Sequence, residues 1–306
     1  MGSLSTRSIQ VEESPRAAEP AIRGERRELA VDGTLTRYWC YGPQRTDRTF
    51  VLVHGFRGDH HGLEQLGGQL AGERVVVPDL PGFGASAAFQ GTAHTVAAYA
   101  EWLNSFVAQL PEAGEVVLLG HSFGSVVVAA ALANGSPASR AVLVNPIGAP
   151  ALSGPRGVLS RLALLYYQLG GILPERAGAA LLRSPLVVHL MSAVLSTSRE
   201  PELRRWILAE HLRYFNVFAD RQSVLEAFAA SVGDDVSAYA GQIAIPVLLI
   251  GGQRDAITSV VVHEQLASRL PDATLVMLPD VGHLVHYEAP RPAARAIHTF
   301  LQVTDR

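Results

Sequence analysis

A chain of 306 residues with 48% hydrophobic content and 17% charge can bury a sizeable core, as one large domain or as a domain with an insertion. Its formal charge of −3 and lack of any long basic run exclude nucleic acid as a partner class and favour a small, weakly polar substrate. All 25 basic residues are arginine, which rules out Schiff-base chemistry and a P-loop lysine, and the single cysteine, Cys40, permits neither an intramolecular disulfide nor a Cys-rich zinc site.

Residues 1–25 are rich in Ser, Glu, Arg and Pro and read as a disordered polar tail. They hold no apolar h-region, and no transmembrane run of about 18 apolar residues follows, so a cytoplasmic location is the default expectation. Strands at 27–30 and 36–41 flank Val31-Asp32-Gly33-Thr34, whose Asp-Gly pair signals a hairpin. Apolar runs at 49–53, 74–77, 115–119 and 140–144 then alternate with helical patterns at 61–71, 95–110 and 125–134. Near-continuous apolar strands alternating with helices predict an α/β fold, a mostly parallel, doubly wound sheet covered on both faces.

The alternation stops after Asn145-Pro146-Ile147-Gly148 and resumes at Pro246-Val247-Leu248-Leu249-Ile250-Gly251-Gly252. The stretch between reads as helices at 158–169, 176–182, 186–195, 201–218 and 223–231. A final strand at 273–278 and a helix at 290–301 complete the chain. The expected organisation is a core from 26–148 and 242–306, with a helical cap, or lid, at 149–241.

Gly120-His121-Ser122-Phe123-Gly124 lies between the apolar strand 115–119 and a helix. Glycines two residues to either side let a serine occupy a strained corner with its hydroxyl above the sheet, so Ser122 is the candidate nucleophile. A serine hydroxyl needs a base and a group to orient that base, and in a parallel sheet the loops that can supply them gather at the carboxyl ends of the strands. Asp255 and His283 follow the last two predicted strands and satisfy that rule.

With these residues the chain resembles an α/β-hydrolase, whose triad runs Ser, Asp or Glu, then His in chain order. The resemblance spans about residues 27–304. His54-Gly55-Phe56-Arg57-Gly58 is similar to the family's H-G-x-x-G turn and Asp79-Leu80-Pro81-Gly82-Phe83-Gly84-Ala85-Ser86 to its D-x-x-G-x-G-x-S loop. Gly282-His283-Leu284-Val285-His286-Tyr287-Glu288-Ala289-Pro290 is similar to its catalytic-histidine segment.

The resemblance implies that Ser122 attacks an acyl carbonyl, His283 acts as base and then acid, and Asp255 holds the imidazole. The backbone N–H groups of Phe56 and Phe123 would form the oxyanion hole. His54 and Asp79 are expected to support their loops, His60 and His61 to meet solvent or the cap, and His286 to pack. No cofactor and no metal are expected. A serine nucleophile excludes relatives that require aspartate there. Carbon-carbon hydrolases of ring-cleavage dienoates typically carry asparagine before the nucleophile and tryptophan after the catalytic histidine, where this chain has His121 and Leu284. The expected activity is therefore cleavage of a small, apolar carboxylic ester, with the carbon-carbon hydrolase and a hydrolase-fold ligand receptor as alternatives. Leu164, Leu165, Tyr166, Tyr167, Leu186, Val187, Val188, Leu190 and Met191 are expected to divide between the core and an acyl pocket, and Trp206 and Phe215 are further pocket candidates.

Overall fold

The computed structural model describes residues 7–8, 24–111, 114–150 and 157–305, with side chains described for 24–111, 114–150 and 161–305. Most of the expected disordered tail at 1–25 therefore lies outside the described residues. The strands are β1 (Arg7–Ser8), β2 (Glu25–Val31), β3 (Thr34–Tyr41), β4 (Arg48–Val53), β5 (Arg74–Pro78), β6 (Glu115–His121), β7 (Arg140–Val144), β8 (Val247–Gly252) and β9 (Ala273–Leu278). They form one sheet in the order β1-β9-β8-β7-β6-β4-β5-β3-β2. The β2–β3 and β3–β5 pairs are antiparallel, and every other pair is parallel.

Side chains alternate across a strand, so a sheet covered on both faces needs apolar residues at every position. On β4, Val51 and Val53 enter one core while Phe50 and Leu52 enter the other; on β6, Val116 and Leu118 oppose Val117 and Leu119. The first core is closed by α2 (Val96–Ala108), α3 (Phe123–Ala133) and α9 (Val260–Arg269), through residues such as Trp102, Val127 and Leu266. The second is closed by α1 (His60–Gln69) and α11 (Pro290–Thr304), through Leu63, Leu66, Ile297 and Phe300. Asp59 and Thr95 cap the starts of α1 and α2 by accepting from the N–H groups of His61 and Ala98.

Between β7 and β8 lie α4 (Gly157–Ile172), α5 (Glu175–Leu182), α6 (Pro185–Leu195), α7 (Pro201–Tyr214) and α8 (Arg221–Gly233), with no strand of the sheet among them. Tyr167 and Leu182 of the first two, with Val224 and Phe228 of α8, join the first core. Leu203 and Ile207 of α7 pack on Leu284 and Tyr287 in a separate apolar seam. By length and a mean hydropathy of 1.5, Glu175–Leu195 could cross a membrane. Here it is two helices, broken at Arg183 and Ser184.

Three expectations need correction. The helix expected at 201–218 ends at Tyr214, and Phe218 leaves it to form a lone antiparallel bridge with Phe83. Helix α9 was not anticipated: its Val260-Val261-Val262 start is β-branched and disfavours helix, and a Ser259 cap together with packing of Leu266 outweighs that. Leu165, Leu186 and Leu190 do not line a pocket, being 52%, 77% and 65% exposed. On α4, Leu162, Leu165, Leu169 and Ile172 recur on the outward face, which leaves Tyr167 to point inward.

Candidate active site

Strand β6 ends at His121, and α3 starts at Phe123, so Ser122 alone turns the corner. It does so at φ 53° and ψ −119°, a conformation that costs a side-chain-bearing residue energy and survives only when its surroundings fix it. Three hydrogen bonds do the fixing: the Ser122 N–H donates to the Val144 carbonyl at 3.0 Å, and the Ser122 carbonyl accepts from Ser125 Oγ at 2.5 Å and from the Ser125 N–H at 2.9 Å. The flanking glycines are required by close approach. A β-carbon on Gly124 would lie 2.2 Å from the Val53 carbonyl oxygen, and one on Gly120 would lie 2.4 Å from that of Gly124. Because these obstacles are backbone atoms, Gly124→Ala is expected to cost about 3 kcal/mol of stability, at the upper end for overpacking. Urea unfolding would measure it, and an unchanged midpoint would contradict the packing argument.

The three expected catalytic side chains meet, although Asp255 is 133 residues from Ser122 in the chain. His283 Nε2 lies 2.9 Å from Ser122 Oγ, and His283 Nδ1 lies 2.9 Å from Asp255 Oδ2. His283 and Asp255 are 3% and 1% exposed, whereas Ser122 is only half-buried. Asp255 is held by more than the imidazole. Its Oδ1 accepts from the N–H groups of Ile257 (2.6 Å) and Thr258 (3.1 Å), and its Oδ2 accepts from Asn145 Nδ2 at 2.7 Å. Burial works against the carboxylate charge, but His283, these backbone donors and Asn145 outweigh it and pull its pKa down to about 2.

In the sequence Asn145 marks only the point where the strand–helix alternation stops. It bridges Asp255 and the carbonyl of Gly282, at 3.2 Å, and so ties the acid loop to the histidine loop. Position at the end of β7 was the available signal. His121 makes a second tie, with Nε2 at 3.1 Å from the His283 carbonyl oxygen.

The loop after β4 lies directly on the elbow. A β-carbon on Gly55 would approach the Ser122 β-carbon to 3.2 Å, so the loop that continues into Phe56 passes close to Ser122. The Phe123 N–H opens α3, where first-turn donors have no intrahelical acceptor. Among the described residues neither N–H meets a backbone acceptor. His54 supports this loop as expected: Nδ1 lies 2.8 Å from the Gly55 carbonyl and Nε2 accepts from the Leu80 N–H at 2.8 Å. Asp79 anchors the following loop through the N–H groups of His60 and Ala85 and through His60 Nδ1. His60 is thus buried and stacked on Trp39 at 3.3 Å rather than facing solvent, because Asp79 draws its ring inward. His61 stacks on Tyr214, the last residue of α7, at 3.6 Å.

Asp59, His60 and His61 bring ligand atoms within 4.8 Å of one another. Those groups are already committed, His60 to Asp79 and His61 to Asp59, and the positive end of α1 disfavours a cation there. The arrangement serves to cap α1 and fasten its loops.

Burial pushes down the pKa of six histidines: His121 to about 3, His211 to about 4, and His54, His94, His263 and His286 also below the ordinary value of 6.5. The unfolded chain therefore binds these protons first as pH falls. Stability is complete above about pH 6.5 and is lost as pH drops toward 4. Asp255 adds a further loss below its unfolded value of 3.8. His61, where the Asp59 carboxylate overcomes burial and raises the pKa, and Glu210, whose carboxyl burial pushes up, oppose the trend as two groups against six. Urea midpoints are expected to fall steadily between pH 7 and pH 4, and a flat profile would contradict the burial of neutral imidazoles.

A model of the alpha/beta hydrolase family matches residues 50–296. Protein ABHD8 of Mus musculus is 27% identical over 296 residues, covering 91% of this chain, and the chain spans only 60% of the length of that relative. Lipase 3 of Moraxella sp. is 22% identical over 264 residues, 83% of this chain and 78% of the lipase. Among solved structures, a thermophilic esterase from Thermogutta terrifontis superposes with a TM-score of 0.72 at 25% identity, over 92% of this chain and all (100%) of that one. The sheet order, the serine elbow after β6 and the family match over 50–296 agree: this chain belongs to the alpha/beta hydrolase family.

Proposed function

We propose that the protein is a serine hydrolase that cleaves a carboxylic ester with an apolar acyl group through an acyl-enzyme. The observation that carries this reading is the continuous line from Ser122 Oγ through His283 to Asp255, with 2.9 Å at each step. His283 Nε2 takes the Ser122 proton as Oγ attacks the acyl carbonyl, and Asp255 stabilises the imidazolium that forms. The N–H groups of Phe56 and Phe123 meet the developing oxyanion; one such donor is worth about 10²- to 10³-fold in rate. As the carbon-oxygen bond breaks, His283 returns the proton to the leaving alcohol. Water then attacks the acyl-enzyme with His283 again as base, which releases the acid and restores Ser122.

What favours an apolar acyl group is the aromatic surroundings of Phe56, whose N–H belongs to the proposed oxyanion hole. The Phe56 ring packs against Tyr167 and Phe228 of the cap at centroid distances of 5.6 and 5.8 Å, and those two rings stack at 3.8 Å. The lipase relatives point the same way. The test is turnover of a p-nitrophenyl ester series from acetyl to decanoyl, alongside a ring-cleavage dienoate. Ester turnover that depends on Ser122 supports the reading. Turnover of the dienoate alone would replace it with carbon-carbon hydrolysis, and binding without turnover would replace it with a receptor.

A further inference from the structure

Among the described residues, two of the charged side chains buried without a counter-charge stand in loops that carry part of the proposed machinery. Arg57 follows Phe56 and is 1% exposed. Its Nε donates to the Phe215 carbonyl at 3.1 Å, its Nη1 to the Tyr167 hydroxyl at 3.1 Å, and its Nη2 to the Leu182 carbonyl at 2.7 Å and to Asn216 Oδ1. The guanidinium also lies 5.1 Å from the Phe215 ring centroid and 5.5 Å from that of Phe218. Every one of these partners belongs to the cap.

Glu288, in the short helix α10 (Val285–Glu288), is likewise 1% exposed. Its carboxylate accepts from the N–H groups of Thr197 (2.6 Å) and Ser198 (2.8 Å) and from the hydroxyls of Thr197 (2.9 Å) and Ser196 (3.2 Å), all in the link between α6 and α7. Its fifth donor is the N–H of Gly282, at 3.0 Å, one residue before His283. The link lies so close to that loop that a β-carbon on Gly282 would come within 2.6 Å of the Thr197 side chain. The described residues give neither Arg57 nor Glu288 an ion-pair partner.

A charge taken out of water must be matched by other charges or by oriented dipoles. An ion pair within the core would satisfy each group without the cap. Here the cap supplies all of the acceptors around the guanidinium and four of the five donors around the carboxylate. Moving the cap away would break both sets together, along with the seam of Leu203 and Ile207 on Leu284 and Tyr287.

We propose that Arg57 and Glu288 are positioning residues, a cationic and an anionic clamp through which the cap holds the Phe56 and His283 loops in catalytic register. The cap is then a fixed part of the catalytic centre and not a lid that departs during turnover. This rests on the reading of Ser122 as nucleophile. It separates the cap's effect on chemistry from any effect on substrate binding, because a loop displaced by about 1 Å can cost 10²-fold in rate.

The test uses p-nitrophenyl acetate, a small ester that makes little demand on an acyl pocket. Arg57→Met and Glu288→Gln, shown to be folded by circular dichroism, are expected to lower kcat about 100-fold with KM nearly unchanged. Glu288→Gln keeps the shape but turns an amide NH2 toward N–H donors. Tyr167→Phe and Thr197→Val each remove a single clamp hydroxyl while keeping the bulk of the side chain, and should lower kcat several-fold with the same KM signature. Glu288→Asp, which retains the charge, should recover part of the rate lost in Glu288→Gln. Folded variants with wild-type kcat, or with a rise in KM alone, would overturn the proposal. If the first pair fails to fold, the hydroxyl pair decides by the same criterion. Failure of the underlying reading shows separately, as wild-type turnover that survives Ser122→Ala.

Discussion

Ser122→Ala and His283→Ala are each expected to lower ester turnover by roughly 10⁵- to 10⁶-fold while leaving the fold intact. Ser122 makes its corner through backbone contacts with Val144 and Ser125, and the mutation leaves its N–H and carbonyl in place. The losses should not add. On the proposed mechanism Ser122 and His283 share one proton transfer over 2.9 Å, so removing the second after the first should remove nothing further. Steady-state kinetics on a p-nitrophenyl ester would measure the two single variants and the double variant. A double variant slower by the product of both losses would contradict a shared step.

Asp255→Asn is expected to lower kcat by about 10⁴-fold, and the hydrogen bonds around the carboxylate explain why. The N–H groups of Ile257 and Thr258 both donate to Oδ1, so the oxygen of an asparagine stays on that side. Its NH2 then occupies the place of Oδ2, facing His283 Nδ1 and the donor Asn145 Nδ2. His283 must present a bare Nδ1 to accept, which puts its proton on Nε2. An Nε2–H cannot take the proton of Ser122. The clash with Asn145 should also lower stability, and Asn145→Ala in the same chain should recover some stability without recovering rate. Retention of most activity in a folded Asp255→Asn protein would show that the tautomer is set by something else.

Periodicity made the sheet legible because both of its faces are buried: strands such as β4 and β6 carry near-continuous apolar stretches, at 50–53 and 116–119, and turns with Gly or Asp-Gly punctuate the chain between strands. The elbow and the order Ser122, Asp255, His283 were legible for a local reason, since each residue follows a strand at the same end of the sheet. What was not legible depends on partners far away in the chain. Nothing near Arg57 in sequence announces that its acceptors are Tyr167, Leu182, Phe215 and Asn216, and nothing near Glu288 points to the link at 196–198. The α7 boundary failed in the same way: Phe215 to Phe218 continue an apolar pattern, but contacts with Arg57 and Phe83 claim them instead. Between β7 and β8, composition grouped Leu165 with Tyr167 as core or pocket candidates, but two residues apart on a helix they face opposite environments.

The central claim is that Ser122 carries the acyl group during turnover. Rapid mixing of the wild-type protein with p-nitrophenyl butyrate, acid quenching and mass spectrometry of the peptide holding residues 115–133 would test it directly. The account predicts a butyryl adduct on Ser122 that forms with the p-nitrophenol burst, decays at the steady-state rate and is absent from Ser122→Ala. Turnover with no adduct, or with an adduct on any other residue, would contradict it.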